Sequence, residues 1–289
     1  MARITRRHLM ASSAAAAMGG VAGLSAWSAD QGDEYHLRSR TTSFDFGGTR
    51  TDGLVSIADN APPPVLRLRQ GTPAVLNFTN GLKDHSTLHW HGIRLPNEMD
   101  GVPYLTQFHV AAKETYRYAF TPPAAGTFWY HPHCMTMSQM ALGLTGILIV
   151  DEAEDQGFDA DIPLNLKDFR IGQDGALLPY FTPKGAARGG TLGNVKTTNW
   201  QFEPRYDVPA GGLVRVRLAA TGTTRIYKLV FPDIPGKIIA WDGQPIDEAV
   251  PWPTQDAPLV VGPGQRVDVA VVAPPEGGEV AFSNVIGQS

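Results

Sequence analysis

Polar and apolar residues alternate along several short segments of the chain, in its first third and again towards its end. The alternating segments are LRLR at 66–69, LNFT at 76–79, VRVRL at 214–218 and VDV at 267–269. Side chains of a strand point alternately to its two faces, so these segments predict half-buried strands. The apolar run TGILIV at 145–150 predicts a core strand of a sandwich, and Gly-Thr-Pro at 71–73 predicts a turn.

An acidic, turn-rich stretch at 151–163 divides the chain into two halves. The 31 glycines and 23 prolines suit many short strands joined by tight turns. A chain that is 43% hydrophobic and 18% charged is typical of a folded globular protein. We therefore expect an all-β protein with two Greek-key sandwich or barrel domains, at 35–152 and 160–289.

Residues 1–28 have the layout of a twin-arginine export signal. Arg6 and Arg7 precede a mildly apolar stretch, 9–27, that is rich in Ala, Gly and Ser, and Ala26-Trp27-Ser28 suits cleavage near residue 28. The rival interpretation is a membrane anchor. It is disfavoured because a segment so rich in small residues partitions weakly into lipid. The expected location is the periplasm, with no membrane insertion after the signal is removed.

The charge balance limits the partners of the chain. Without residues 1–28 the sequence keeps 21 basic and 28 acidic residues. This excess of negative charge argues against nucleic acid and against anionic membrane surfaces. Cys134 is the one cysteine of the sequence, so no internal disulfide can form.

Four of the eight histidines form two His-x-His pairs, His89 with His91 and His131 with His133. In a strand each pair would lie on one face, with Cα atoms about 6.5–7 Å apart. Leu88 and Trp90 would point into the core. The residue between the second pair is a proline, which lacks an N–H, so its strand is expected to lie at an edge or to leave the ladder there.

Two such pairs brought together would offer four neutral nitrogen donors, which suit copper and zinc alike. His85 and His109 lack this spacing, and we interpret them as ordinary core or surface histidines.

Two segments around these pairs resemble the copper motifs of multicopper oxidases of the laccase-like and copper-resistance type. The first is HWHG at 89–92 followed by Met-Asp-Gly at 99–101, and the second is GTFWYHPH at 126–133 followed by GLTG at 143–146. LGNV at 192–195 and GPGQRVD at 262–268 resemble the middle domain of that family.

The resemblance implies cupredoxin-like domains and a copper enzyme that couples one-electron oxidation of a reductant to reduction of dioxygen to water. It implies that His89 binds the type 2 copper and that His91, His131 and His133 bind the type 3 pair. Asp100 would match the acidic residue that helps to deliver protons to reduced oxygen.

The family pattern needs two more His-containing motifs, and the sequence has no His, Cys or Met after Met140. We therefore expect the second domain to be a metal-free spacer and the third domain, with its type 1 copper, to be absent. A type 1 site at Cys134 is disfavoured because no histidine follows it in the same loop. We interpret Cys134 as a small buried side chain, with Met135, Met137 and Met140 as core or loop filler.

Three functions fit this inventory of ligands. The chain is an N-terminal oxidase fragment that is inactive alone, a standalone periplasmic copper-binding protein, or a copper-free cupredoxin-fold scaffold. The scaffold would be marked by loss of the histidine pairs, and all four histidines are present. An in-frame extension of the coding sequence beyond Ser289 would separate the first two.

Overall fold

The structure, a computed structural model, describes residues 2–5, 27–28 and 34–285. Most of the segment predicted to be an export signal, residues 1 and 6–26, lies outside the described residues. Within the described part, no helix combines the length and the apolarity that crossing a bilayer requires.

Most of the regular elements in the described residues are short strands, and they are joined by loops, two short helices and one 3-10 turn. In chain order the elements are β1 (Ala2–Thr5), β2 (Trp27–Ser28), β3 (Glu34–Asp45), β4 (Arg50–Ser56), β5 (Leu66–Arg69), β6 (Ala74–Asn80), β7 (His89–His91), a 3-10 turn (Asn97–Met99), β8 (Thr115–Phe120), β9 (Gly126–His131), α1 (Thr136–Ala141), β10 (Gly146–Asp151), β11 (Ala160–Phe169), α2 (Pro183–Ala186), β12 (Val195–Thr198), β13 (Arg205–Asp207), β14 (Leu213–Ala220), β15 (Tyr227–Val230), β16 (Gly236–Trp241), β17 (Gln244–Pro245), β18 (Leu259–Val261), β19 (Arg266–Val272) and β20 (Val280–Asn284).

Two sheets enclose the core of the first half. Their strand orders are β2-β5-β10-β9-β7 and β4-β3-β6-β8. Buried and partly exposed residues alternate along β6, so Leu76 and Phe78 enter the core. Trp90, Tyr118 and Tyr130 meet them there, and Trp90 and Tyr118 pack edge to face with ring centroids 5.2 Å apart. β7 is the edge strand of its sheet and pairs with β9 alone.

The second half has the same two-layer plan. A sheet of order β12-β11-β14-β19-β16-β17 faces a sheet of order β13-β1-β20-β15-β18. Val214, Val216 and Leu218 of β14 pack with Val267 and Val269 of β19 in its core. The prediction of an all-β fold is confirmed, and the alternating segments lie in β5, β6, β14 and β19.

The two halves are joined by a small apolar cluster and a buried ionic network. Val65, Ile147 and Ile149 of the first half pack against Ala219 of β14. Beside them Arg217, which is fully buried, binds both halves.

Arg217 Nη1 donates to Thr127 Oγ1 at 2.8 Å and to Asp268 Oδ2 at 3.3 Å, and Thr127 Oγ1 donates to Asp268 Oδ1 at 2.6 Å. Asp161 accepts from Arg217 Nε at 2.7 Å. Because β9 carries Thr127, this network fixes that strand against the second half.

The ladder of β9 ends at His131, immediately before Pro132. This agrees with the prediction that the proline would leave the ladder, because it has no N–H to donate. The predicted same-face arrangement within one strand therefore applies to the first histidine pair and not to the second. The helix α1 that follows was not anticipated from the sequence.

Candidate metal centre

Pairing of β7 with β9 places three of the four paired histidines on one face. His89 lies opposite His131 in the ladder, and His91 lies opposite Trp129. Between them Trp90 lies opposite Tyr130, and both of these rings are buried in the core. Because neighbouring residues of a strand point to opposite faces, the imidazoles face away from the core of the first half.

The imidazoles converge. The ligand atoms of His89, His91 and His131 all lie within 4.8 Å of one another. His133 lies beyond the end of β9, yet its ring centroid is 5.1 Å from that of His89 and 5.8 Å from that of His131. The structure therefore brings all four histidines together, with His131 buried and His133 exposed.

Backbone carbonyls fix the tautomers of two rings. His89 Nδ1 is 2.6 Å from the carbonyl oxygen of Asp100, and His131 Nδ1 is 3.0 Å from that of Pro132. A carbonyl oxygen can only accept, so both Nδ1 atoms carry the proton. The lone pair of each ring is consequently on Nε2, as metal ligation requires.

The closest ligand atoms have the spacing of a pair on one metal ion. His91 Nδ1 is 3.3 Å from His131 Nε2. Two imidazole nitrogens bound at about 2.0–2.1 Å with a tetrahedral angle would be about 3.3 Å apart. Without metal His91 Nδ1 donates to the His131 lone pair. An ion between them would require that proton to be lost or moved to Nε2 of His91. The donor set therefore fits a metal ion that takes imidazole ligands, and copper is one such ion.

Burial and like charge keep these rings neutral. The pKa of His131 is lowered to about 3, chiefly by burial and further by the neighbouring imidazoles, against the raising effect of the Pro132 carbonyl. The pKa of His91 is lowered to about 4, chiefly by burial and then by the positive charge of Arg266. The pKa of His133 is also lowered by burial. Neutral imidazole is the form that binds metal.

Asp100, predicted to be catalytic, lies at the edge of this cluster. Its Oδ1 is 3.5 Å from His89 Nδ1, and a third of the side chain is exposed. The backbone carbonyl of Asp100 makes the shorter contact with His89 and orients its ring. This contact was not predicted from the sequence.

The second half reaches the cluster through the turn at 262–265 and through Arg266. A Cβ atom added to Gly264 would be 3.6 Å from both His91 Cε1 and Trp129 Cζ2. A Cβ atom added to Gly92, the residue after His91, would be 2.4 Å from Arg266 Nη2. The half predicted to be a spacer thus borders the histidines. The GPGQRVD segment was the only sequence feature we noted that could have indicated this contact, but its residues alone do not show which part of the first half they contact.

The remaining candidates are not members of the cluster. Cys134 is half-buried rather than buried, and burial raises the pKa of its thiol. Met140 is buried, whereas Met135 and Met137 are about half exposed, so only one of the three fills the core. His85 and His109 lie outside the described cluster and stack on each other with ring centroids 3.7 Å apart.

Comparison with known proteins agrees with this geometry. Residues 38–155 match the family model described as "Multicopper oxidase". "Copper resistance protein A" of Escherichia coli is 35% identical over 131 residues, which are 45% of this chain and 21% of that protein. "Multicopper oxidase MmcO" of Mycobacterium tuberculosis is 25% identical over 265 residues, covering 82% of this chain and 51% of that protein.

Solved structures give the same result. The crystal structure of a multi-copper oxidase from Pseudomonas thermotolerans aligns with a TM-score of 0.80 at 37% identity, covering 88% of this chain and 62% of that one. A multi-copper oxidase from Pseudomonas parafulva aligns with a TM-score of 0.80 at 38% identity, covering 87% and 61%. The chain thus spans less than two thirds of the length of each of these relatives.

The two-layer β-sheet halves, with a cluster of imidazoles at the edge of the first, give the chain the cupredoxin-type fold that it shares with the solved multi-copper oxidases. Residues 38–155 are the part of the chain that matches the multicopper oxidase family, a family of copper-dependent oxidoreductases.

Proposed function

We propose that His89, His91, His131 and His133 form half of a trinuclear copper site. In this assignment His89 binds the type 2 copper and the other three histidines bind the type 3 pair. The observation that carries the proposal is the convergence of the ligand atoms of His89, His91 and His131 within 4.8 Å, with the His133 ring centroid 5.1 Å from that of His89. The fixed tautomers of His89 and His131 support it, because both present a lone pair without rearrangement.

The proposed activity of the whole protein is oxidation of a one-electron reductant coupled to reduction of dioxygen to water. When bound, copper would supply the electron transfer and the oxygen chemistry. The residues of this chain would hold and orient it. Asp100 would hold a proton at its carboxylate, close to His89 and partly open to solvent. Export by the twin-arginine pathway to the periplasm completes the proposal and rests on Arg6, Arg7 and the small-residued stretch after them.

A copper titration of the purified chain tests the binding site. We expect His131→Ala/His133→Ala to lower Cu(II) affinity at least tenfold, because it removes two of four nitrogen donors. His85→Ala/His109→Ala is the matched control, since it removes two imidazoles from a stacked pair outside the site. Circular dichroism should show that all three proteins fold. Equal affinity in the wild-type and His131→Ala/His133→Ala proteins would disprove the assignment.

A further inference from the structure

Arg266 of β19 directs its whole guanidinium group at backbone carbonyls. The side chain is 5% exposed. Nε donates to the carbonyl of Thr127 at 3.2 Å, Nη1 to that of Gly264 at 2.8 Å and Nη2 to that of Asp242 at 2.9 Å. The Asp242 carboxylate, 3.1 Å from Nη1, supplies a partner charge and is partly exposed. The planar fork of arginine, with its fixed donors, suits this arrangement, and lysine lacks it.

These carbonyls belong to the segments that border the histidine cluster. Thr127 lies in β9, and its side chain shares a face with those of Trp129 and His131 because the three residues alternate along the strand. Gly264 lies in the turn that covers one edge of His91 and of Trp129. One side chain from the second half therefore ties together the strand that carries His131 and the turn that lies against His91.

The guanidinium also packs directly behind the first histidine pair. Gly92 has a φ of +94°, and an added Cβ atom would be 2.4 Å from Arg266 Nη2. Backbone and guanidinium are thus in close contact at the residue that follows His91. His91 is accordingly enclosed by the Gly264 turn at its ring edge, by Trp129 with ring centroids 4.8 Å apart, and by Arg266 behind its backbone.

We propose that Arg266 is a positioning residue for the copper site, which holds the His91 imidazole in place by tying β9 to the Gly264 turn. This inference rests on the proposed copper-binding function. It makes the second half of the chain part of the site, although that half supplies no ligand.

The test compares Arg266→Lys and Arg266→Met with Arg225→Met. Arg225 is a matched control because it is also buried and donates to Asp168 Oδ2 at 2.8 Å and to the Gly193 carbonyl at 2.6 Å, two partners that both lie in the second half. Thermal unfolding monitors the stability of each variant. Cu(II) affinity and the electron paramagnetic resonance spectrum of bound copper monitor the site.

We expect both Arg266 variants to bind Cu(II) about 10–100-fold more weakly and with altered copper hyperfine splitting, as for lost supporting contacts at metal sites. Arg225→Met should lose stability and keep the wild-type affinity and spectrum. If Arg266→Lys behaves as the wild-type protein, only the charge matters and the positioning role is wrong. If Arg225→Met changes the copper spectrum equally, the effect is general destabilisation and the proposal is likewise wrong.

A measurement without copper separates this inference from the proposed function. Nuclear magnetic resonance signals of the His91 ring, assigned with His91→Gln, should shift in Arg266→Lys and stay in place in Arg225→Met. Unchanged His91 signals in Arg266→Lys would overturn the positioning role. If those signals shift but the wild-type protein binds no Cu(II), the proposed function fails and the positioning of His91 stands.

Discussion

Nδ1 of His89 donates a 2.6 Å hydrogen bond to the backbone carbonyl of Asp100. The carbonyl is held there by a tight backbone crossing, because Gly101 has a φ of +78° and a Cβ atom added to it would be 1.8 Å from the Leu88 carbonyl oxygen. The orientation of the His89 ring, a proposed copper ligand, therefore depends on residue 101 having no side chain.

Gly101→Ala is expected to separate these backbones and to release His89. Cu(II) affinity should fall about 10–100-fold because the ring loses its orienting acceptor. Gly71→Ala is the control, since Gly71 has a similar φ of +73° but no atom within 4 Å of the added Cβ. It should show the cost of backbone strain, about 1 kcal/mol, with unchanged affinity. Titrations of both variants with Cu(II) make the comparison, and equal affinities would contradict the prediction.

Asp100→Asn keeps the carbonyl acceptor and changes only the carboxylate. The affinity for Cu(II) should therefore stay within a few-fold of wild type, in contrast to Gly101→Ala. A loss as large as that of Gly101→Ala would mean that the carboxylate, 3.5 Å from His89 Nδ1, holds the ring instead. The same titration series measures both variants.

Much of the fold could be predicted from the sequence because strand burial is a local property. β6 alternates in burial along Ala74–Asn80, and its residues 76–79 alternate in polarity in the same phase. The first histidine pair shares a face for the same reason. Convergence of the second pair could not be obtained in this way, because His133 lies beyond the end of β9 and reaches His89 through a turn.

Contacts between strands distant in sequence could not be predicted either. Thr127 and Asp268 are hydrogen-bonded across 141 residues of sequence. The letters around Asp268 indicate a strand and give no sign that its carboxylate is buried against the first half. The orienting role of the Asp100 carbonyl was hidden as well, because it belongs to the backbone and any residue there could supply it.

Asp268→Ala is expected to destabilise the protein by about 3 kcal/mol, as measured by urea unfolding. It leaves the buried Arg217 guanidinium and the Thr127 hydroxyl without one of their partners, and breaking a buried pair costs about 3–5 kcal/mol. The lower figure applies because Asp161 still accepts from Arg217. Asp52→Ala removes an exposed ion pair with Arg50 and should change stability by less than about 1 kcal/mol. Equal effects of the two variants would show that the network does not stabilise the junction.

Lys167 is expected to make the stability of the protein depend on pH. Its ammonium is buried and donates to the Met140 carbonyl at 2.6 Å, at the end of α1. Burial lowers its pKa from 10.5 to about 8. Between these values the unfolded chain binds more protons than the native one, so this group adds stability as pH rises through the window and loses it as pH falls.

The stability of the wild-type protein relative to Lys167→Met should consequently rise between pH 8 and pH 10, by up to about 1.4 kcal/mol per pH unit. Urea unfolding at several pH values in this window measures the difference. Lys237→Met, at an exposed position of β16, is the control and should follow the wild-type protein at every pH. A difference for Lys167→Met that is constant or falls with pH would contradict the burial of a charged amine.

The last prediction concerns oxygen turnover by a polypeptide of this sequence. The resemblance to multicopper oxidases implies that four-electron reduction of dioxygen needs a complete trinuclear site and a type 1 copper. The sequence has no His, Cys or Met after Met140, and Cys134 has no following histidine in its loop with which to form a blue copper site. The copper-loaded protein should therefore lack the intense blue absorption of a copper–thiolate bond and should not consume oxygen with a phenolic donor.

Oxygen uptake by the copper-loaded protein, corrected with His131→Ala/His133→Ala treated in the same way, is the measurement. Sustained turnover near or above about 1 per second, an ordinary enzymatic rate, would mean that ligands outside the four histidines complete a working site in this chain.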